Sequence, residues 1–251
     1  MKYALLIGIN YNSLPSGKLN GCINDVNKMK HVLTTKFGYK TKHIKMLTDD
    51  HFEKPTYHNI LKELHILMDK AKFCSEIFLH YSGHGSYIPD ENSDEQDRRD
   101  ECLIPLDYHK NGYITDDMIY NLFVEKLTPA CNATIVIDAC HSATCFDLSY
   151  KYDKDGGEWE KISDKVVPNK KIKMISGCKD NETSADAFLN GEYKGAMTYA
   201  LTTVLADCNY EISWKDLLNK MHELLESKHF SQKPQLCTSD PFDMEKSFIF
   251  F

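Results

Sequence analysis

The sequence predicts an α/β fold with a largely parallel sheet. Short runs of β-branched and aliphatic residues alternate with longer segments of helical periodicity, which is the pattern of strands joined by crossover helices. Of the 251 residues, 42% are hydrophobic and 27% are charged, an ordinary composition for a globular protein with a sizeable core. Neither an internal repeat nor a Pro/Gly/Ser-rich linker divides the chain, so we expect one domain over residues 1–251.

Short apolar runs predict the strands of this sheet, and a similar run at the end of the chain predicts a last strand. These runs are Tyr3–Ile9, His43–Leu47, Glu76–Ser82, Thr134–Asp138, Lys171–Ser176 and Lys246–Phe251. Two polar stretches interrupt the pattern. Ile88–Arg99 is acidic, and Lys151–Lys171 is rich in Lys, Asp and Gly, so both are predicted to be loops.

Helices are predicted where apolar residues recur at i, i+3 and i+4 spacing. The segments are Asp25–Phe37, Tyr57–Ala71, Ala196–Leu205 and Trp214–Leu225. Gly38 ends the first, and Ser213 with Asp216 forms a capping-box pattern at the start of the last. One apolar stripe per helix is what packing against a sheet requires.

Charge and cysteine content bear on partners and compartment. The formal net charge is −7, which argues against nucleic acid as a partner because phosphate backbones attract clustered basic residues. The nine cysteines form no C-x-x-C pair, and an odd number cannot all be bridged, so we expect reduced thiols. The first apolar run is too short for a signal peptide, and no run approaches the roughly 18 residues of a membrane helix. We therefore expect a cytoplasmic protein without a membrane partner.

The strongest chemical signal is a pair of strand ends. His84 follows the predicted strand Glu76–Ser82, and Cys140 follows Thr134–Asp138, 56 residues after His84. Side chains just beyond neighbouring parallel strands converge on one crevice, and a spacing of roughly 50 residues from His to Cys is the caspase pattern. A cysteine thiolate can attack a carbonyl while an imidazole protonates the leaving amine. Each residue alone also fits a structural role, but the two contexts together favour catalysis.

Four further segments carry recognisable motifs, and along the chain they are Gly21–Val26, His80–Gly85, Asp138–Ser142 and Gly177–Asp186. These motifs, in this order, give the chain its resemblance to a type I metacaspase without an N-terminal Pro-rich prodomain. It implies a caspase-like three-layer sandwich with a central, mostly parallel sheet flanked by helices. Within it, residues 1–148 would be the large-subunit-like part, 149–173 a loop and 174–251 the small-subunit-like part. Ala139 and Ala143 depart from the family, which usually has Ser and Gly there.

The resemblance implies a calcium-dependent cysteine endopeptidase that cleaves after Arg or Lys. Its implied dyad is Cys140 with His84, and amides around Gly85 and Cys140 would bind the oxyanion. The implied basic P1 pocket consists of Cys22, Asp25, Ser82 and Asp138. A desolvated Arg or Lys head requires a paired carboxylate, which these residues supply. Asp25 alone would equally suit the first turn of a helix. The expected partners are protein or peptide substrates with Arg or Lys at P1, and we expect a monomer.

Carboxylates also suggest a calcium site. Seven of them lie between Asp90 and Glu101, and oxygen ligands of this kind suit Ca²⁺. The spacing is close to that of an EF-hand, but Glu95 stands where that loop needs Gly, which excludes it. The resemblance instead implies a calcium site formed by Asp100, Asp116, Asp117 and Asp147. A solvated acidic loop is the alternative. His141 lacks partners at metal-ligand spacing and is not assigned to a metal.

The segment Ser149–Lys173 contains seven lysines among Asp and Gly residues, a polar and flexible composition that favours proteolysis. We therefore predict an exposed loop that the enzyme cuts itself, with a surface insertion of no function as the alternative.

Features of the sequence also bear on functions other than that of a peptidase. A catalytically silent caspase-like scaffold that binds partners is the main alternative, although the intact dyad counts against it. A nucleotide-binding domain would need a Gly-rich phosphate loop after the first strand, and Gly8–Tyr11 is not one. Specificity for Asp would require Arg in the pocket, whereas Arg98 and Arg99 lie in the acidic loop.

Overall fold

The computed structural model describes residues 1–89, 99–140, 146–165, 169–178, 186–189 and 191–248. The strands are β1 (Lys2–Gly8), β2 (Ile44–Thr48), β3 (Glu76–Ser82), β4 (Gly85–Pro89), β5 (Arg99–Leu103), β6 (Ile114–Thr115), β7 (Asn132–Asp138), β8 (Tyr150–Asp153), β9 (Glu158–Lys161), β10 (Lys171–Cys178), β11 (Asp186–Leu189), β12 (Glu192–Gly195) and β13 (Lys233–Thr238). The helices are α1 (Cys22–Lys36), α2 (Tyr57–Ala71), α3 (Tyr108–Asn111), α4 (Asp116–Ile119), α5 (Ala196–Asp207) and α6 (Trp214–Ser227), with a 3₁₀ turn over Thr41–His43 and a π-helical turn over Tyr120–Val124.

Eight strands form the central sheet in the order β2-β1-β3-β7-β10-β13-β8-β9. The first five run parallel, whereas β13, β8 and β9 each pair antiparallel with the strand before them in that order. Two small antiparallel units, β4-β5-β6 and β11-β12, lie outside it. The predicted mostly parallel sheet is confirmed.

Helices cover both faces of the sheet. One face packs side chains of α1, α5 and α6 against Leu6, Phe78 and Val136. The other packs α2 and the π-helical turn against Leu5, Leu79 and the strands beside them. Parallel strands buried on both faces need apolar side chains in both directions, which explains their nearly continuous hydrophobic runs. Three layers result.

Side-chain hydroxyls cap the starts of α2 and α6, and the cap of α6 is the one that the sequence predicted. The Ser213 hydroxyl accepts the Asp216 N–H at 3.0 Å, and Thr56 accepts the Asn59 N–H at 3.3 Å. Gly38 follows α1 with φ +72°, a conformation that only glycine adopts without strain. No helix within the described ranges combines the length and the apolar character needed to cross a membrane.

The predicted loop Lys151–Lys171 is wrong over its first half, because β8 and β9 form a hairpin there at the edge of the central sheet. Tyr152 and Trp159 pack across this hairpin with ring centroids 5.3 Å apart, and the Trp159 Nε1–H donates to the Phe242 carbonyl at 3.0 Å. Aromatic residues separated by charged ones are typical of a strand with one buried face.

Two other predicted segments lie only partly within the described residues. The ends of Ile88–Arg99 belong to β4 and β5, and residues 90–98 lie outside the described ranges. In the predicted last strand Lys246–Phe251, only Ser247 forms a bridge, with Ser213, and residues 249–251 are not described.

Candidate active site

The sheet register brings the predicted dyad to one place. Ser82 and Asp138 pair directly at the ends of β3 and β7, so His84 and Cys140 each come two residues beyond a paired position. The Gly83 N–H donates to the Asp138 carbonyl at 3.2 Å. A Cβ on Gly85 would stand 2.1 Å from the Cys140 carbonyl oxygen, so only glycine permits this approach. The turn that carries His84 therefore lies against the backbone of Cys140.

Hydrogen bonds hold His84 in one orientation. Its Nε2 is 2.7 Å from the Gly17 carbonyl oxygen, which can only accept, so Nε2 carries the proton of a neutral ring. Nδ1 is then the nitrogen that can exchange a proton with a thiol. The His84 backbone N–H donates to the Tyr11 hydroxyl at 3.0 Å, and the Tyr81 hydroxyl donates to the His84 carbonyl at 2.7 Å. Burial raises the pKa of Tyr11, so its hydroxyl keeps the proton it donates to the Ile104 carbonyl.

Cys140 is buried, with 5% of its surface exposed, and stands two residues after the end of the apolar strand β7. Its neighbour Ala139 is fully buried. Residues 141–145, which include His141 and Ala143, are outside the described ranges, as are residues 179–185 of the fourth family-like segment. Gly85 lies against the backbone carbonyl of Cys140, and the role of the Gly85 and Cys140 amides in an oxyanion site stays a prediction.

Two buried carboxylates meet at the start of α5. Asp25 accepts the Ser82 hydroxyl at 2.8 Å and the Gly195 N–H at 3.0 Å, and Asp138 accepts the Thr198 N–H at 2.7 Å. A Cβ on Gly195 would lie 2.3 Å from Asp138 Oδ2 and 2.6 Å from Asp25 Oδ2, so glycine leaves room for both acids. The helix N-terminus stabilises negative charge here.

The other two predicted pocket residues lie beside this acid pair. Cys22 is buried and precedes Asp25 by three residues in α1, so both share one helix face. Ser82 ends β3. Asp25 does lie in the first turn of α1, as the structural alternative expects, yet its carboxylate reaches β3 and the residue before α5. All four predicted pocket residues are therefore brought together.

His80, in β3, contacts the start of α5 near the two carboxylates. Its Nε2 is 3.0 Å from the Thr198 hydroxyl. Burial lowers the pKa of this imidazole from 6.5 to about 3. The folded chain therefore keeps His80 neutral at pH values where the unfolded chain already takes up a proton. We expect the free energy of unfolding to fall as the pH drops from about 6.5 towards 3, by up to ~1.4 kcal/mol per pH unit for this proton.

Urea unfolding at several pH values tests this expectation. His80→Gln should reduce the pH slope of stability by about one proton between pH 6 and 5. His58→Gln, at an exposed position of α2, is the matched control and should leave that slope unchanged. An equal slope for His80→Gln and the native chain would show that His80 does not cause it.

Three of the four predicted calcium ligands, Asp116, Asp117 and Asp147, lie close together. The two carboxylate oxygens of Asp116 accept the N–H groups of Glu101 and Asp117, both at 2.8 Å, which ties α4 to β5. Burial, and next the charge of Asp147, raises the pKa of Asp116 to about 8. Asp100, next to Glu101 in β5, is also buried.

A lysine supplies positive charge to this cluster. The Lys165 Nζ lies 2.7 Å from Asp147 Oδ2 and 3.1 Å from Asp117 Oδ1. Within the described part of the chain, no three His, Cys, Asp or Glu side chains are arranged to hold a metal ion. The donor chemistry nevertheless fits a hard cation, because carboxylate oxygens dominate and the cluster already holds an ammonium group.

Several site residues were not predicted from the sequence. Gly17, Tyr11 and Tyr81 position His84, Gly195 and Thr198 bind the acid pair, and Lys165 joins the acidic cluster. Two of these positions carried a signal: Tyr81 lies in the family-like segment His80–Gly85, and at the Gly195–Ala196 boundary a glycine precedes an apolar helix.

One family model matches the first part of the chain, and individual relatives align with nearly all of it. The model of the metacaspase, peptidase C14 domain matches residues 2–149, a range that includes every predicted site residue. Metacaspase-1 of Eremothecium gossypii is 36% identical and aligns over 98% of this chain and 66% of its own length. Metacaspase-1 of Meyerozyma guilliermondii is 35% identical, with 99% and 72% covered. The chain thus spans about two thirds of the length of such relatives.

Two solved structures share the fold. A protein from Geobacter sulfurreducens superposes with a TM-score of 0.69 at 24% identity, over 98% of this chain and 97% of that one. Caspase-1 from Spodoptera frugiperda gives a TM-score of 0.60 at 14% identity, over 99% and 89%. At these identities the likeness concerns the fold alone, and the predicted caspase-like architecture is confirmed.

Proposed function

Because the chain belongs to the metacaspase family and so carries a peptidase domain of the cysteine type, we propose that it is a calcium-dependent endopeptidase that cleaves after Arg or Lys. One observation carries the proposal. The register of β3 and β7 sets the His84 turn against Cys140, while the same strand ends direct Ser82 and Asp138 to a second carboxylate, Asp25. Nucleophile, base and anionic pocket thus share one end of the sheet.

In the proposed mechanism, His84 Nδ1 takes the thiol proton and Cys140 Sγ attacks the scissile carbonyl. His84 then protonates the leaving amine, and a water molecule activated by the same nitrogen hydrolyses the thioester. The Gly17 carbonyl supports these transfers because it keeps the proton of the neutral ring on Nε2. Backbone N–H groups near Gly85 and Cys140 would bind the oxyanion.

Basic specificity follows from charge. Asp25 and Asp138 are 2% and 1% exposed, so a cationic side chain that reaches them leaves water and binds two carboxylates in a medium that screens poorly. Their helix-terminal hydrogen bonds keep both acids in place before substrate arrives. The preference for Arg or Lys at P1 rests on this pair.

For calcium we propose Asp100, Asp116, Asp117 and Asp147 as ligands. A bound cation would neutralise carboxylates that otherwise repel one another. Asp147 lies seven residues beyond Cys140 in the sequence and has a strained φ of +48°, so we propose that a cation bound here acts close along the chain to the nucleophile. Lys165 would have to give up its two carboxylate contacts.

Calcium titration tests this assignment. Asp147→Asn should weaken calcium binding tenfold or more, because a buried ligand charge is lost. Lys165→Gln should strengthen binding several-fold, because the competing ammonium group is removed. The calcium affinity measured by isothermal titration calorimetry and the calcium concentration needed for Arg-peptide hydrolysis should change in parallel. Lys161→Gln, whose ion pair with Asp164 lies on the surface, is the matched control and should change neither.

Activity and affinity that stay unchanged in Asp147→Asn, or hydrolysis that is equal in chelator and in millimolar calcium, would reject calcium dependence. The peptidase proposal would survive that result.

Self-cleavage is proposed within residues 149–173, although β8 and β9 restrict where it can occur. Lys154 is exposed in the turn between these strands, whereas Lys165 and Lys173 contact other groups. We expect calcium to produce a cut after Lys154 in the native chain and none in Cys140→Ala, as seen by mass spectrometry of the fragments.

Lys154→Ala should prevent this cut, while Lys151→Ala, inside β8, should not. A chain that stays intact at full activity would show that this segment is not an activation switch.

One assay separates the proposal from a silent scaffold. The chain is mixed with matched Arg, Lys and Asp peptides and with an alkylating probe that carries a basic leader. A peptidase should turn over the basic peptides and be labelled at Cys140, whereas a scaffold should do neither.

We further propose a monomer in the cytoplasm with no nucleic-acid or membrane partner. The seven described cysteines that are free thiols are consistent with a reducing compartment.

A further inference from the structure

Two buried thiols meet at the end of the sheet remote from the candidate active site. Cys74 stands two residues before β3 and Cys131 directly before β7, and their Sγ atoms are 3.4 Å apart. Cys74 is 7% exposed and Cys131 is fully buried, and both are free thiols. Nothing in the proposed mechanism uses them.

The sheet itself creates this contact. Glu76 pairs with Asn132 at the start of β3 and β7, and the Asn132 N–H donates to the Ser75 carbonyl at 3.0 Å. Neighbouring strands lie about 4.8 Å apart, and disulfides form between Cα atoms about 4.4–6.8 Å apart. Cys74 and Cys131 lie just outside the paired residues with their Sγ atoms 3.4 Å apart, so an S–S bond of about 2.05 Å requires only a small movement of the side chains.

We propose that Cys74 and Cys131 form a reversible disulfide when the protein meets a hydroperoxide. The Cys74 sulfur attacks one peroxide oxygen, the O–O bond breaks, and a sulfenic acid and one alcohol or water molecule form. The Cys131 sulfur then attacks the sulfenic sulfur, the S–S bond forms, and the S–O bond breaks with release of water. The two thiols lose two electrons and two protons, the peroxide accepts them, and a dithiol reverses the change.

The surroundings assign the attacking sulfur to Cys74. The hydrogen bond with Cys131 lowers the pKa of Cys74, whereas the same contact, with burial, raises the pKa of Cys131. The small exposed surface of Cys74 gives a peroxide access that Cys131 lacks.

The cross-link would act on the scaffold of the site and not on the site itself. The strands β3 and β7 have seven residues each, so the thiol pair is about 20 Å from Ser82 and Asp138. A bond between residues 57 apart removes much of the freedom of the unfolded chain. Oxidation should therefore stabilise the two strands that carry His84 and Cys140.

Peptide mapping tests the proposal. The full chain carrying Cys140→Ala, which removes the candidate nucleophile, is treated with hydrogen peroxide, alkylated under denaturing conditions and digested without reduction. We expect a linked peptide containing Cys74 and Cys131, its loss after dithiothreitol, and a Tm about 5 °C or more above that of the reduced chain. The native chain is mapped in parallel.

Cys131→Ala should abolish both the linked peptide and the rise in Tm. Cys208→Ala, which removes a half-buried thiol at the end of α5, is the matched control and should keep both. Recovery of Cys74 and Cys131 as alkylated peptides, while Cys208 is oxidised, would overturn the proposal, as would a linkage of Cys74 to another cysteine. Should Cys131→Ala fail to fold, the presence or absence of the linked Cys74–Cys131 peptide in the peroxide-treated Cys140→Ala chain decides the proposal.

Discussion

Cys140→Ala should abolish hydrolysis of Arg and Lys peptides, a loss of at least ~10³-fold, while the fold persists. The substitution deletes one sulfur atom from a side chain that is 5% exposed, and without that atom no thioester can form. Rates are measured on fluorogenic Arg and Lys peptides, and far-UV circular dichroism with thermal unfolding shows whether the fold is intact.

Cys237→Ala is the matched control, because it removes another buried thiol from the sheet, in β13. It should lose some stability and keep its activity within about twofold. Substantial turnover by Cys140→Ala would mean that another residue is the nucleophile, and the dyad assignment would be wrong.

Asp138→Asn should lower kcat/KM for Arg and Lys peptides by tens to thousands of fold. The amide has the shape of the carboxylate and can still accept the Thr198 N–H, now 2.7 Å from Oδ2, so α5 keeps its contact while the negative charge is lost. Asp25→Asn should act similarly. Comparison with a peptide that has a neutral P1 residue distinguishes lost charge recognition from a general loss of rate.

Ser82→Ala provides the control for positioning. It removes the 2.8 Å hydrogen bond to Asp25 and leaves both charges in place, so its effect should be far smaller than that of either Asn variant. If Asp138→Asn kept basic-peptide activity while its Tm fell, Asp138 would be a structural acid of α5 and not part of a substrate pocket.

Elements with a strong local pattern could be predicted from the sequence. The bounds of β3 and α2 agree with the prediction residue for residue, because an apolar run that is buried on both faces and an amphipathic period are both properties of neighbouring residues. The sequence also predicted that the turns carrying His84 and Cys140 follow neighbouring strand ends, since parallel strands end at one side of a sheet, whereas the catalytic role of the two residues stays a prediction.

Elements that depend on distant partners escaped prediction. The strand β13 begins Lys-Pro-Gln, which has little strand character, and it forms because β10 offers an open antiparallel partner. The hairpin of β8 and β9 is polar on one side and forms because β13 pairs with β8. Strand pairing between residues far apart in the chain decides such segments, and local propensity does not.

The sequence by itself thus determined the fold class, the pair of strand ends and the residues that the family motifs carry. The tertiary structure alone decided what surrounds them. Gly195 reaches Asp25 across 170 positions of sequence, and Thr198 reaches Asp138 across 60, so no local pattern encodes either contact. The pairing of Lys165 with Asp147 depends likewise on how the chain returns after β9. Each buried charge requires a partner, but only the folded chain determines which group comes close enough to supply it.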